Sequence, residues 1–112
     1  MMKVDDSFNG HQIELRVGET LEISLAENAS TGFQWIAPDS AHKAEKILRK
    51  GEPLVEGASG PPGKPGVRHF YFEAFEPGTV ELELHYRRPW ETVKPPARTF
   101  KLRIRVRPVS EP

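Results

Sequence analysis

Four histidines, His11, His42, His69 and His85, are the side chains of this chain best suited to moving a proton or holding a metal near neutral pH. Their spacing matches no metal-ligand pattern, and in a strand-rich protein they fall on different strands, so they read as scattered surface residues. The carboxylate pairs Glu14 with Glu22 and Glu81 with Glu83 suggest acid-base chemistry, but carboxylates on one face of a strand normally serve solubility. No serine or threonine stands beside a candidate base in a recognisable motif, and the chain has no cysteine. No enzymatic activity, metal or cofactor is expected.

Residues that grip other molecules are more concentrated. The stretch Y-R-R-P-W-E, residues 86 to 91, places a tryptophan after Arg-Pro between two strand-like segments. Proline ends strand pairing and loops lie on the surface, so Trp90 either folds back onto the body or is meant for another molecule. A second stretch, E-N-A-S-T-G-F at residues 27 to 33, consists of ordinary turn residues. Its Asn28-Ala29-Ser30 also matches a glycosylation acceptor pattern, which short sequences do often by chance. The third, E-G-A-S-G-P-P-G-K-P-G at residues 56 to 66, holds four glycines and three prolines and cannot be a central strand. It reads either as a solvated flexible loop or as a stiffened one that presents its backbone to a partner.

The elements that must position these loops follow from periodicity. Most of the chain alternates apolar and polar residues with period two, the mark of half-buried strands. Ile13, Leu15 and Val17 form one such run, Leu21, Ile23 and Leu25 a second, and Phe33, Trp35 and Ala37 a third. Phe70, Phe72 and Ala74 form a fourth, Val80, Leu82, Leu84 and Tyr86 a fifth, and Phe100, Leu102, Ile104 and Val106 the last. Between these apolar residues of the last run stand Lys101, Arg103 and Arg105, with Arg107 after them. Glu81 and Glu83 can supply the opposite charge, so this basic row reads as a solvated face. The segment S-A-H-K-A-E-K-I-L-R-K, residues 40 to 50, suits a helix by propensity and also an edge strand. Six or seven short strands punctuated by Gly and Pro predict an antiparallel β-sandwich.

Composition bounds the answer further. A chain of 112 residues has room for one domain with one modest core. Lys plus Arg and Asp plus Glu both total 16, which removes the global electrostatic argument for nucleic acid or an anionic membrane. Without cysteine there are no disulfides, thiolate metal sites or catalytic thiol, although the compartment stays open. No apolar run approaches the roughly 20 residues of a membrane helix. The amino end, M-M-K-V-D-D-S-F-N-G, lacks the apolar core of a signal peptide, so a cytoplasmic protein or a mature form of a longer precursor is expected.

The order of the three loops is more specific than any one of them. The sequence resembles the chagasin family of cysteine peptidase inhibitors, whose pattern is Asn-Pro-Thr-Thr-Gly, then Gly-x-Gly-Gly, then Arg-Pro-Trp. Here the first is Asn28-Ala29-Ser30-Thr31-Gly32, the second Gly63-Lys64-Pro65-Gly66, and the third, Arg88-Pro89-Trp90, is complete. The resemblance runs from about residue 10 to about residue 107. Ala29 stands where the family has proline, Ser30 where it has threonine, and Pro65 where it has glycine, while residues 57 to 62 look like added length.

What the resemblance implies is an immunoglobulin-like sandwich of about seven strands, with residues 40 to 50 extended, and a wedge of three loops at one end. Those loops would fill the cleft of a papain-like cysteine peptidase, with Thr31 closest to the catalytic cysteine and the other two loops on the cleft walls. Trp90 and Arg88 then become contact residues, of the types most enriched among binding hot spots. Asn28 would hold the first loop by side-chain bonds to the loop's own backbone. The reading is a single inhibitor domain over residues 1 to 112, monomeric and reversible, with no nucleic acid, membrane or cofactor. An immunoglobulin-like module that binds another protein or a carbohydrate through the same loops is the alternative.

Overall fold

A computed structural model of the protein describes residues 1–28, 31–38, 47–49, 51, 53–57 and 66–109. The strands within it are β1 (Met2–Asp5), β2 (Gln12–Arg16), β3 (Thr20–Glu27), β4 (Gln34–Ile36) and β5 (Ile47–Arg49), then β6 (Leu54–Glu56), β7 (Gly66–Ala74), β8 (Gly78–Arg87) and β9 (Arg98–Arg107). One short 3-10 turn, Asp6–Phe8, follows β1. Alternation explains their shape. Along β9, Phe100, Leu102, Ile104 and Val106 are buried while Lys101, Arg103, Arg105 and Arg107 are exposed, because successive strand residues point to opposite faces. The same rule buries Leu21, Ile23 and Leu25 of β3 and Phe70, Phe72 and Ala74 of β7.

Two sheets pack these rows against each other. One has the order β1-β3-β7-β5, with β6 also paired to β7, and the other the order β2-β9-β8-β4. The core between them is formed by seventeen buried apolar residues of the described chain, among them Phe70, Phe72, Phe100 and Trp35. The all-β sandwich is as expected, and the predicted solvated face also holds. Arg103 lies opposite Glu81 and Lys101 opposite Glu83 in the β8–β9 register, and Arg107 Nε is 3.1 Å from Glu14 Oε2.

Pairing differs from the simple antiparallel picture at two edges: β1 runs parallel to β3, and β2 parallel to β9. Parallel neighbours need a crossover, and in both cases the chain passes through the opposite sheet between the partners. Local periodicity says nothing about which distant strand will be the neighbour. Of the ambiguous segment 40 to 50, Ile47–Arg49 is extended and pairs with residues 72–74 of β7, with Ile47 buried. Residues 40–46 and 50 lie outside the described residues.

Register decides where the connections emerge. Glu27, the last residue of β3, pairs with Gly66, the first of β7, and Gln34 at the start of β4 pairs with Arg87 at the end of β8. The roots of the first loop (28–33), of the connection from β6 to β7, and of the third loop (88–97) therefore share one end of the sandwich. These strand ends, distant in sequence, lie together because the sheets align them.

Candidate functional site

The third loop is built on a turn. Glu91 N–H donates to the Arg88 carbonyl at 3.0 Å, which closes a β-turn with Pro89 in its second position and Trp90 in its third. Proline presets the backbone angle that this position needs. Side chains then brace the turn. Glu91 lies 3.0 Å from Lys94 Nζ and 3.6 Å from Arg88 Nη1, and Arg87 Nη2 donates to the Lys94 carbonyl. The hydrogen bond from Lys94, together with the positive charges of Lys94 and Arg88, holds the Glu91 carboxyl below its usual range, against a smaller opposing effect of desolvation.

The first loop is fastened by its own backbone. The Asn28 carbonyl accepts the Thr31 N–H at 3.3 Å and the Thr31 hydroxyl at 2.8 Å, and Asn28 N–H donates to the Tyr86 hydroxyl at 3.2 Å. Gly32 has φ +81°, in the left-handed region that favours glycine.

Arg88 and Trp90 join the two loops. Arg88 Nε donates to the Thr31 carbonyl at 3.2 Å, and its guanidinium lies over the Phe33 ring, 4.6 Å from the centroid. A Cβ placed on Gly32 would stand 2.9 Å from Trp90 Cη2, so the indole edge rests where a side chain would otherwise be. Trp90 is still 70% exposed. Both alternatives for this tryptophan are thus partly realised: it touches the body with one edge and shows most of its surface to solvent.

Beneath the loops lies an aromatic and ionic platform. Phe33 stacks on Tyr86 at 5.4 Å, Tyr86 meets Trp35 at 5.0 Å, and Arg98 lies over Trp35 at 5.5 Å. Trp35 itself is buried, and its indole N–H donates to the Ala26 carbonyl at 2.9 Å. Glu27, only 4% exposed, receives Arg68 through both carboxylate oxygens, at 2.8 and 3.0 Å, and accepts the Trp35 backbone N–H at 2.8 Å. One buried carboxylate therefore links β3 and β7 of one sheet to β4 of the other.

Of the site residues expected from sequence, Asn28, Thr31, Gly32, Arg88, Pro89 and Trp90 come together on this end. Ala29, Ser30, Gly63, Lys64 and Pro65 lie outside the described residues. Gly66 differs from its expected place among contacting residues. It is buried as the first residue of β7, where a Cβ would be 2.6 Å from the Glu56 carbonyl. Its lack of a side chain serves strand packing. Three further residues at this end, Val93, Glu27 and Arg68, were not singled out from sequence. Val93, on the third loop, is 97% exposed, a fully presented apolar side chain in an otherwise charged and Pro-rich stretch. Glu27 lies in phase with Leu21, Ile23 and Leu25, and Arg68 in phase with Phe70 and Phe72, so opposite charges on two inward rows were the available signal.

Other chemistry finds no convergent site. Among the described residues no group of three His, Cys, Asp or Glu is placed to hold a metal ion. His69 departs from the scattered-surface expectation, with its side chain 13% exposed, Ser24 Oγ 2.7 Å from Nδ1 and Glu56 Oε1 2.8 Å from Nε2. The Glu56 contact is close without hydrogen-bond alignment, and it spans the pairing of β6 with β7.

A family model described as "Chagasin family peptidase inhibitor I42" matches residues 14–104. Chagasin of Trypanosoma cruzi is 33% identical over 95 residues, covering 79% of this chain and 82% of its own. The crystal structure of the cysteine protease inhibitor EhICP2 from Entamoeba histolytica superposes with a TM-score of 0.75 at 22% identity, covering 95% of both chains. PbICP-C, solved in complex with falcipain-2, superposes with a TM-score of 0.60 at 21% identity, covering 94% of this chain and 89% of its own. At those identities the two structures speak to the fold.

Proposed function

The chain belongs to the chagasin family of peptidase inhibitors, and from that premise we propose that it is a single-domain, reversible inhibitor of papain-like cysteine peptidases that acts by filling the cleft. The observation that carries this reading is the junction of Thr31–Gly32 with Arg88–Trp90 into one ridge at the end of the sandwich. Asn28, Thr31 and Gly32 stand at its centre and Arg88, Pro89 and Trp90 form one flank; the sequence motif at residues 63 to 66 is assigned to the other flank by the family pattern alone. PbICP-C, of similar fold, has been seen bound to falcipain-2, which agrees with a peptidase as partner.

Such a ridge inhibits without reacting. A peptidase thiolate attacks a carbonyl presented in line with it, and a loop that occupies the same space without presenting one blocks the site. The Thr31 hydroxyl gives its proton to the Asn28 carbonyl and accepts the Phe33 N–H at 3.5 Å, which leaves one lone pair for a donor from the peptidase. Affinity then comes from area removed from water by residues such as Trp90, on loops whose shape is set before binding. No group of this chain is assigned a catalytic role.

The test is selectivity. Papain-like peptidases should be inhibited at nanomolar concentration while trypsin-like serine peptidases stay active. Equal inhibition of both classes, or of neither, rejects the reading, and glycan binding without any effect on peptidases would favour a carbohydrate-binding module instead.

A further inference from the structure

An inhibitor that places a peptide loop against a protease nucleophile must avoid being its substrate, and we infer that Arg88 is the positioning residue that keeps the first loop from being cut. The inference rests on the reading above.

In a substrate, the peptidase thiolate adds to the carbonyl carbon and the oxygen takes up negative charge among enzyme donors. The C–N bond then breaks, the amine leaves with a proton from the histidine, and water later frees the acyl group. Cleavage therefore needs the carbonyl oxygen to be available to the enzyme. The Thr31 oxygen already has a partner within the protein. Arg88 Nε donates to it at 3.2 Å, and the edge of Trp90 lies against Gly32, the other residue of the same peptide bond. The Asn28 carbonyl is engaged as well, by both the backbone and the hydroxyl of Thr31.

Arg88 is in turn fixed from three sides. The Phe33 ring lies under its guanidinium, Glu91 faces Nη1 at 3.6 Å, and the turn through Pro89 sets its backbone. A bond made by a preorganised planar group costs little entropy on binding and persists in the complex. Ala29, standing where the family pattern has proline, leaves the first loop one fewer internal restraint, so the external clamp matters more in this chain.

Arg88→Met keeps a long apolar stem over Phe33 and removes every donor. The experiment incubates wild type and variant with an excess of active papain-like peptidase and follows the intact chain by mass spectrometry. Affinity is measured separately against the same peptidase with its cysteine changed to alanine. The expected result is that Arg88→Met is cut at least tenfold faster than wild type, with the first cuts confined to residues 28 to 33. A variant cut no faster than wild type overturns the inference, whether its affinity is kept or lost, since loss of affinity alone would make Arg88 a contact residue. Cuts spread through the strands also overturn it, because they would report a loosened fold. If Arg88→Met fails to fold in a thermal melt, Arg88→Leu, which also lacks donors, is used with the same criteria. Failure of wild type to inhibit any peptidase would instead reject the proposed function, and the wild-type arm shows that by itself.

Discussion

Two tryptophans of this chain have opposite work, and the difference is readable from their neighbours. Trp35 alternates with Phe33 and Ala37, is buried, and has both backbone and indole nitrogens bonded to β3. Trp90 follows Arg-Pro and is 70% exposed. Trp35→Ala should cost about 3 kcal/mol or more of folding stability, since it empties a large buried volume and leaves the Ala26 carbonyl without its donor. Trp90→Ala should weaken peptidase binding by about 2 kcal/mol with little change in melting temperature. Paired thermal melts and inhibition constants check both, and a Trp90→Ala protein that unfolds while binding normally per folded molecule would reverse the assignment. What the sequence did not make legible at this scale is the double use of Arg88. A guanidinium after a strand looks like a free donor, and only the folded register brings Thr31, 57 positions away, within its reach. Glu27 was hidden for a different reason: it stands at the border of a turn-rich stretch, where a carboxylate is ordinary, although its phase along β3 points inward.

At the scale of elements, the apolar runs with period two became strands of the two sheets because each buries a continuous row, as β9 does over ten residues. β1 and β6 were not legible. β1 buries Val4 alone, and β6 has only half-buried Val55 between two exposed residues, so neither carries enough alternation to announce itself. Their pairing with β3 and β7 is a property of the assembled sheet. The loops depend on such elements through the Glu27–Arg68 pair. Arg68→Ala should destabilise the fold by about 3 kcal/mol, because it strands a buried carboxylate rather than simply deleting an attraction. Urea unfolding measures this, and a loss under about 1 kcal/mol would mean that water reaches Glu27 in the variant. The brace of the third loop gives a pH prediction. Glu91 has a folded pKa below its usual 4.5, so its contribution is complete above that value and is lost as pH falls through the depressed folded value. Inhibition should hold from neutrality down to about pH 4.5 and weaken below it. The change should be smaller in Glu91→Gln, whose side chain does not titrate; inhibition constants across an acid series, with a peptidase active throughout, would show whether the two profiles differ.

For the whole molecule, the sandwich acts as a rigid holder whose end is set by register, and the chemistry of inhibition lies in what that end withholds. The chain has no cysteine to form a mixed disulfide with the peptidase. Thr31 has a carbonyl as its hydroxyl partner rather than a base, so it is not an activated nucleophile. The carbonyls of Asn28 and of Thr31 itself are engaged within the protein. Equal numbers of acidic and basic residues, 16 of each, leave no net charge to steer association, so complementarity of shape must supply most of the affinity. If that is so, the nucleophile of the peptidase is a wall of the cleft and not a participant. A papain-like peptidase with its catalytic cysteine changed to alanine should bind the protein within about tenfold of the active enzyme, a difference of about 1.4 kcal/mol. Calorimetry or surface binding with the two peptidases measures the ratio. A loss of a thousandfold or more on removing the sulfur would mean that a covalent adduct carries the inhibition, and the carbonyl attacked would then have to be one that the loop leaves open, which peptide mapping of the trapped complex would identify.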